Sequence, residues 1–228
     1  MLVGLSDQWD TCSRTIVLES SMSGFAHSGH TMAVGLGSDV VLLDVVTGSR
    51  TSVLCDHSDT VATLALSLDG TLLVSGSADE TVKLWDIQTG GVIGTLNNIP
   101  RVTAVLISLD TATIALGTGD GTIGLWDART GKSHFIGKAH GRTVSAINFS
   151  PIDSRHLVSS SEDGTVWQWD ADGHQVRAFH HEDAVWETAY TLDGTRFISC
   201  THKVAIIRNS GFGGVVAKLD APDGERFY

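Results

Sequence analysis

Asp79, Asp120 and Asp163 are the residues of this chain whose type first suggests chemistry. Paired carboxylates do acid–base work when their carboxyls stand about 5–10 Å apart. These three are separated by 41 and 43 residues and sit in equivalent turns. That spacing puts them on different units and gives each the role of holding its own turn. Gly119-Asp120-Gly121-Thr122-Ile123-Gly124 has the G-x-G-x-x-G form of a dinucleotide loop. Such a loop needs a strand before it and a helix after it, whereas strand-type residues flank this one on both sides, so it reads as a hairpin. Gly117, Gly211, Gly213 and Gly214 read likewise as turn or strand-edge glycines. His27, His30, His180 and His181 form two close pairs without Cys, Asp or Glu at ligand spacing. No metal and no cofactor are expected. G-x-S-x-G, P-loop and His-Glu-x-x-His motifs are absent from the sequence.

The elements that carry these residues repeat. Leu84-Trp85-Asp86-Ile87 returns as Leu125-Trp126-Asp127-Ala128 and Gln168-Trp169-Asp170-Ala171. Weaker copies stand at Leu42-Leu43-Asp44-Val45 and Ile207-Arg208-Asn209-Ser210. A period near 40 marks an array of one small unit. Within residues 60–96, Val61 to Ser67, Thr71 to Ser77, Thr81 to Asp86 and Val92 to Leu96 read as four strands. Asp69-Gly70 and Thr89-Gly90 turn the chain between them. Units are expected at about 21–55, 60–96, 101–137, 142–179 and 184–219. Residues 9–18, with Trp9-Asp10, read as the remnant of a preceding repeat, and 220–228 as a frayed tail. Four short strands cannot bury both faces of their sheet alone, so each unit must stack on its neighbours.

Composition agrees. Glycine is abundant, at 25 residues, and only 18% of residues are charged. Aspartate dominates the acids, 20 to 6 over glutamate, and aspartate favours turns. A net charge of −11 excludes a basic footprint for nucleic acid and opposes an anionic membrane surface. The three cysteines, Cys12, Cys55 and Cys200, are far apart, which suits a reducing compartment. No signal peptide and no spanning helix are visible, so a cytoplasmic location is expected, with the nucleus open.

Four-stranded units of this length, with Trp-Asp closing the third strand, resemble WD40 β-propellers over residues 9–219. The resemblance implies an all-β propeller of about five blades, partial or truncated relative to a seven-bladed ring. It also implies a buried hydrogen-bond chain of His, Ser, Asp and Trp in each blade. Unit two matches it at His57, Ser75, Asp79 and Trp85; unit four matches at His140, Ser159, Asp163 and Trp169. Unit three keeps Asp120 and Trp126 but has Leu116 for the serine and no histidine before Arg101. Unit five keeps His181 and Ser199 but has Arg208 for the tryptophan and lacks the aspartate. Unit one has Leu43 for the tryptophan. Units with a partial chain are expected to be softer. Cys12 to Ile16, Ala33 to Leu36 and Val74 to Ser77 also resemble the WD-repeat tails of fungal NACHT-type receptors.

The expected function is a non-catalytic scaffold that offers one propeller face to a protein or peptide. Loops leading into first strands carry the candidate contacts Asp59, Arg101, Arg142, Asp183 and Trp186. Trp186 could be core or a rim anchor. Two alternatives stand beside this reading. One is a gene fragment without stable function. The other is a propeller enzyme with a site in the central channel, for which the first strands offer mostly Val, Ala, Leu, Thr and Ser. Oligomeric state is not read from the sequence.

Overall fold

The structure is a computed structural model that describes residues 22–170 and 172–222. The expected remnant at 9–18, Cys12 with it, lies outside the described residues. Among the described residues, twenty strands form five four-stranded antiparallel sheets, each in simple meander order. The first sheet holds β1 (Met22–Ser28), β2 (Thr31–Leu36), β3 (Asp39–Asp44) and β4 (Arg50–Cys55). The second holds β5 (Val61–Leu66), β6 (Leu72–Ser77), β7 (Val82–Asp86) and β8 (Val92–Leu96). The third is β9 (Val102–Ile107), β10 (Thr113–Thr118), β11 (Thr122–Asp127) and β12 (Ser133–Lys138). The fourth is β13 (Val144–Phe149), β14 (His156–Ser161), β15 (Thr165–Asp170) and β16 (Gln175–His180). The fifth is β17 (Glu187–Tyr190), β18 (Arg196–Cys200), β19 (Val204–Asn209) and β20 (Val215–Asp220). Asp220 is paired with Val204 inside the last strand, so order extends past the start expected for the frayed tail. The architecture is that of a WD40 β-propeller.

The first strands stand side by side along the array, β1 against β5, β5 against β9, β9 against β13 and β13 against β17. The sheets bury their faces on one another, as the repeat demanded. Ala33, Val40, Leu42 and Leu54 of blade one pack on Val61, Leu64, Leu73 and Trp85 of blade two. Val74, Val82 and Leu84 then pack on Val102, Ile114 and Trp126 of blade three. Polar bonds cross the next two interfaces: Thr103 Oγ1 of blade three donates to Val144 O of blade four at 2.7 Å, and Ser145 Oγ of blade four to Val185 O at the entry to blade five at 2.7 Å. Small residues permit the close stacking. A Cβ at Gly94 would lie 2.8 Å from the Trp126 ring of the next blade.

One irregularity recurs in all five sheets. Third and fourth strands slip register where the outer strand begins, at Leu43, Trp85, Trp126, Trp169 and Arg208. Each slip is a β-bulge, which bends the strand and raises its twist.

Candidate functional site

The turn between second and third strands and the loop entering the first strand meet at one end of blades two to five. In blade two, His57, 7% exposed, is the hinge of that meeting. Its Nε2 lies 2.7 Å from Ser75 Oγ, and its Nδ1 lies 2.8 Å from Asp79 Oδ2. Trp85 Nε1 donates to Ser75 Oγ at 2.8 Å. The indole can only donate, so the hydroxyl proton of Ser75 is directed to His57 Nε2. The histidine proton then sits on Nδ1 and faces the carboxylate. Asp79 also accepts from Ser58 N at 3.0 Å, Thr81 N at 2.9 Å and Thr81 Oγ1 at 2.6 Å. Burial opposes its charge, yet the bonds from Thr81, Ser58 and His57 outweigh burial and hold its carboxyl well below the usual range. Burial also pushes the His57 pKa down, against the pull of Asp79. At neutral pH the network is a neutral imidazole bonded to a carboxylate.

Blade four differs in one link. Trp169 Nε1 donates to Ser159 Oγ at 2.9 Å, and Ser159 Oγ is 2.8 Å from His140 Nε2. His140 Nδ1 reaches Thr165 Oγ1 at 2.8 Å, and Thr165 Oγ1 donates to Asp163 Oδ1 at 2.6 Å. The direct His140–Asp163 distance is 3.6 Å, so the expected His–Asp bond is relayed by a threonine. Sequence reasoning missed Thr81 and Thr165. The signal was present: an Asp-x-Thr triplet recurs at 79–81, 120–122 and 163–165.

These two clusters place serine, histidine and aspartate in the order of a hydrolytic triad. Chemistry is nevertheless closed to them. Ser75 and Ser159 are both 0% exposed, and each hydroxyl already accepts an indole N–H. A nucleophile needs an approach path, and here there is none. The clusters tie loop to turn.

Blade three corrects the expectation of a partial polar chain. Two residues separate Ile99 from β9, against three between His57 and β5 and between His140 and β13, and Ile99 donates its N–H to Glu80 O at 3.0 Å, as His140 does to Gly121 O and His181 to Gly164 O. Ile99 therefore occupies the histidine's place. With Leu116 for serine, the network has become apolar, and both residues pack in one cluster with Trp126. The Trp126 indole N–H is buried without a partner. In blade five His181 Nε2 keeps Ser199 Oγ at 2.9 Å, and burial followed by the Arg208 charge pushes its pKa down to about 4. Arg208 stacks its guanidinium 4.7 Å over the Phe179 ring, with its Nε buried and unpartnered. In blade one Leu43 joins Val34 and Val41 in an apolar cluster.

The rim candidates are not equivalent to one another. Arg101 O accepts from Gly119 N, as Thr60 O does from Ala78 N and Thr143 O from Glu162 N. Arg101 therefore stands one place further along its loop than Asp59 and Arg142 do along theirs. Its side chain lies along Gly119, whose Cβ would be 2.9 Å from Arg101 Cδ. Asp59 and Arg142 are exposed, and Arg142 Nη2 is 3.9 Å from Glu162 Oε2. Asp183 pairs with Lys203 at 3.2 Å. Trp186 lies just ahead of β17 rather than inside it and is 42% exposed. The core reading of Trp186 is thereby excluded. Its ring packs on His202 with centroids 4.9 Å apart, and both border a shallow pocket with Asp183 and Lys203.

The G-x-G-x-x-G stretch is the hairpin joining β10 to β11. Gly121 has φ +90°, and a Cβ there would strike His140 O at 2.2 Å. Among the described residues, Asp170, Asp172 and His174 bring three metal-type ligand atoms within 4.8 Å. Asp170 already spends its oxygens on the N–H groups of Asp172 and His174 and on the His174 ring. The group is a capped turn, and it lacks the buried, closed donor set of a structural metal site. No helix among the described residues is long and apolar enough to cross a membrane.

The model of the family described as nucleolar protein 10-like, N-terminal domain, matches residues 18–228. The nuclear distribution protein nudF of Emericella nidulans is 34% identical over 158 residues, covering 66% of this chain and 36% of that protein. Protein SPA1-RELATED 3 of Arabidopsis thaliana is 38% identical over 136 residues, covering 58% of this chain and 16% of the relative. The chain thus spans about a third or less of the length of these relatives. A crystal structure of the computationally designed Ika8 protein superposes with a TM-score of 0.81 at 25% identity, covering 91% of this chain and 64% of that one.

Proposed function

Because the chain belongs to the nucleolar protein 10-like N-terminal β-propeller family, we propose that it is a non-catalytic interaction scaffold. The rim made by loops entering the first strands receives a protein or peptide. The observation that carries this reading is Trp186, a large aromatic left 42% exposed on that rim. Its stacking on His202 holds the ring in place. Exposed tryptophan flanked by charge is the composition of a binding hot spot. The buried His–Ser–Trp clusters support the reading from below, since they pin the neighbouring loops and lower the entropy lost on binding. Asp59, Arg101, Arg142 and Asp183 supply mixed charge, which selects partners more than it tightens them.

Affinity capture with the wild-type chain, Trp186→Ala and Arg142→Glu tests this face. Loss of captured partners in either variant supports it, and identical partners in all three reject it. The narrower reading, the sensor tail of a fungal NACHT-type receptor, rests on sequence phrases at 12–16, 33–36 and 74–77, the first of them outside the described residues. Recovery of a non-self ligand on the rim would support it. The family's description carries a nucleolar name, and imaging of a tagged chain separates that compartment from the expected cytoplasm.

A further inference from the structure

Four departures from the repeat converge on the interface between blades four and five. Gln168 stands where blades two and three carry Leu84 and Leu125. Arg177 is its cross-strand partner, where Gly94 is the partner of Leu84. Tyr190 ends its first strand where Leu66, Ile107 and Phe149 end theirs. Arg208 replaces the tryptophan whose ring fills this space between other blades. Val158, Val166, Val185 and Phe197 keep one part of this seam apolar, and the part beside them has become polar and hollow. A cavity of about 360 Å³ opens there, lined by Gln168, Arg177 and Tyr190 and by Ser150, Asp153 and His156. It lies at the end of the blades opposite the Trp186 rim.

The charges in the cavity are uneven. Gln168 is 6% exposed and donates from Nε2 to Ser210 O at 3.0 Å. Arg177 is partly buried and makes only a long contact, 3.5 Å from Nη1 to Gln168 Oε1. No carboxylate of the described residues pairs with it. A guanidinium partly withdrawn from water without a counter-charge is disfavoured. Asp153, across the cavity, is already engaged: His156 Nδ1 lies 2.7 Å away and Arg155 N donates at 2.8 Å. Ile152 and Val176 add exposed aliphatic surface to the lining, 68% and 46%.

We propose that this cavity binds a single carboxylate on a short apolar stem, supplied by a partner peptide, with Arg177 as the charged anchor and Tyr190 and Gln168 beside it. One cation matches one negative charge. A dianionic phosphate would leave charge uncompensated and be repelled by Asp153 more strongly than a singly charged carboxylate. Guanidinium and carboxylate form parallel bonds in a fixed fork, and Ile152 and Val176 cover the stem. An acidic side chain and a chain end share this chemistry. The site is independent of the Trp186 rim.

The test is a nuclear magnetic resonance titration of the whole chain with three probes. N-acetyl-glutamate α-methylamide offers a side-chain carboxylate, N-acetyl-valine a terminal one, and N-acetyl-glutamine α-methylamide neither. At least one acid should shift the Arg177 Nε–Hε and Gln168 side-chain signals saturably, with a dissociation constant on the order of 1 mM. The acid that saturates identifies the source. The neutral probe should produce no saturable shift. Arg177→Gln should weaken binding at least about tenfold, and Tyr190→Phe, which preserves packing, should weaken it about two- to fivefold. Lack of saturation by either acid at about 20 mM, equal binding of the neutral probe, or full affinity in a folded Arg177→Gln chain would overturn the proposal. Trp186→Ala should leave these shifts unchanged, so failure at the rim and failure here are distinguishable.

Discussion

Ser75→Ala removes one oxygen and nothing else of consequence. Alanine fits the space, and Ser75 is 0% exposed, so no water replaces the hydroxyl. Two groups then lose their partner, Trp85 Nε1–H and His57 Nε2. Each buried stranded group costs about 1–3 kcal/mol, so the loss is about 2–6 kcal/mol. Domains carry about 5–15 kcal/mol in total, and at this length 1 kcal/mol moves Tm by about 2–4 °C. The expected fall is on the order of 10 °C. Repeat arrays can lose one unit before the rest, so amide exchange should accompany the melt. Protection should drop first at 75–85 and the 57–60 loop. The exposed Ser58→Ala, which retains the backbone N–H that Asp79 uses, is the control. A Tm within about 2 °C of wild type, with exchange in blade two unchanged, would refute the claim that the buried chain ties loop to turn.

Gly121→Ala should destabilise by about 2 kcal/mol or more, since it meets both a positive φ and the His140 carbonyl; chemical denaturation measures it. Leu116→Ser should also destabilise by about 1–3 kcal/mol, although it offers the Trp126 N–H an oxygen, because lost leucine burial outweighs one hydrogen bond. Adding Ile99→His should recover part of that loss, and a double-mutant cycle without coupling would contradict the assignment of Ile99 to the histidine's place. His57, His140 and His181 are all shifted down by burial. The unfolded chain then binds more protons below the ordinary histidine value of about 6.5, so stability falls as pH drops. For His181 the window runs from about 6.5 to about 4, below which the loss is complete. His181→Gln should flatten the Tm against pH over that interval.

The repeat was legible because periodicity, Trp-Asp and Asp-Gly are local signals. The tetrads at His57 and His140 were legible for the same reason, through fixed spacing. Ile99 was not, because counting residues back from Val102 lands on Asn98, whereas Ile99 stands one place nearer its strand than the histidines do. The Thr165 relay depended on His140 standing 3.6 Å from its aspartate where His57 stands 2.8 Å from Asp79, a difference that spacing cannot encode. Trp186 was ambiguous because a tryptophan next to a strand suits core and rim alike. The cavity between blades four and five needs Gln168, Arg177 and Tyr190 brought together from three strands, and none of these departures from the repeat marks a site by itself.

The recurring register slip bears on how this molecule stays itself in a crowded solution. Among the described residues, strands β4, β8, β12, β16 and β20 each pair on one side only, which leaves five open flanks along the array. A straight flank invites a foreign strand to zip on and seeds fibres. Here every flank is kinked where it starts, at Arg50, Val92, Ser133, Gln175 and Val215. An incoming extended chain would have to copy that kink to continue pairing. The same bend that seats each tryptophan thus also disfavours recruitment by backbone addition and leaves side chains to select companions.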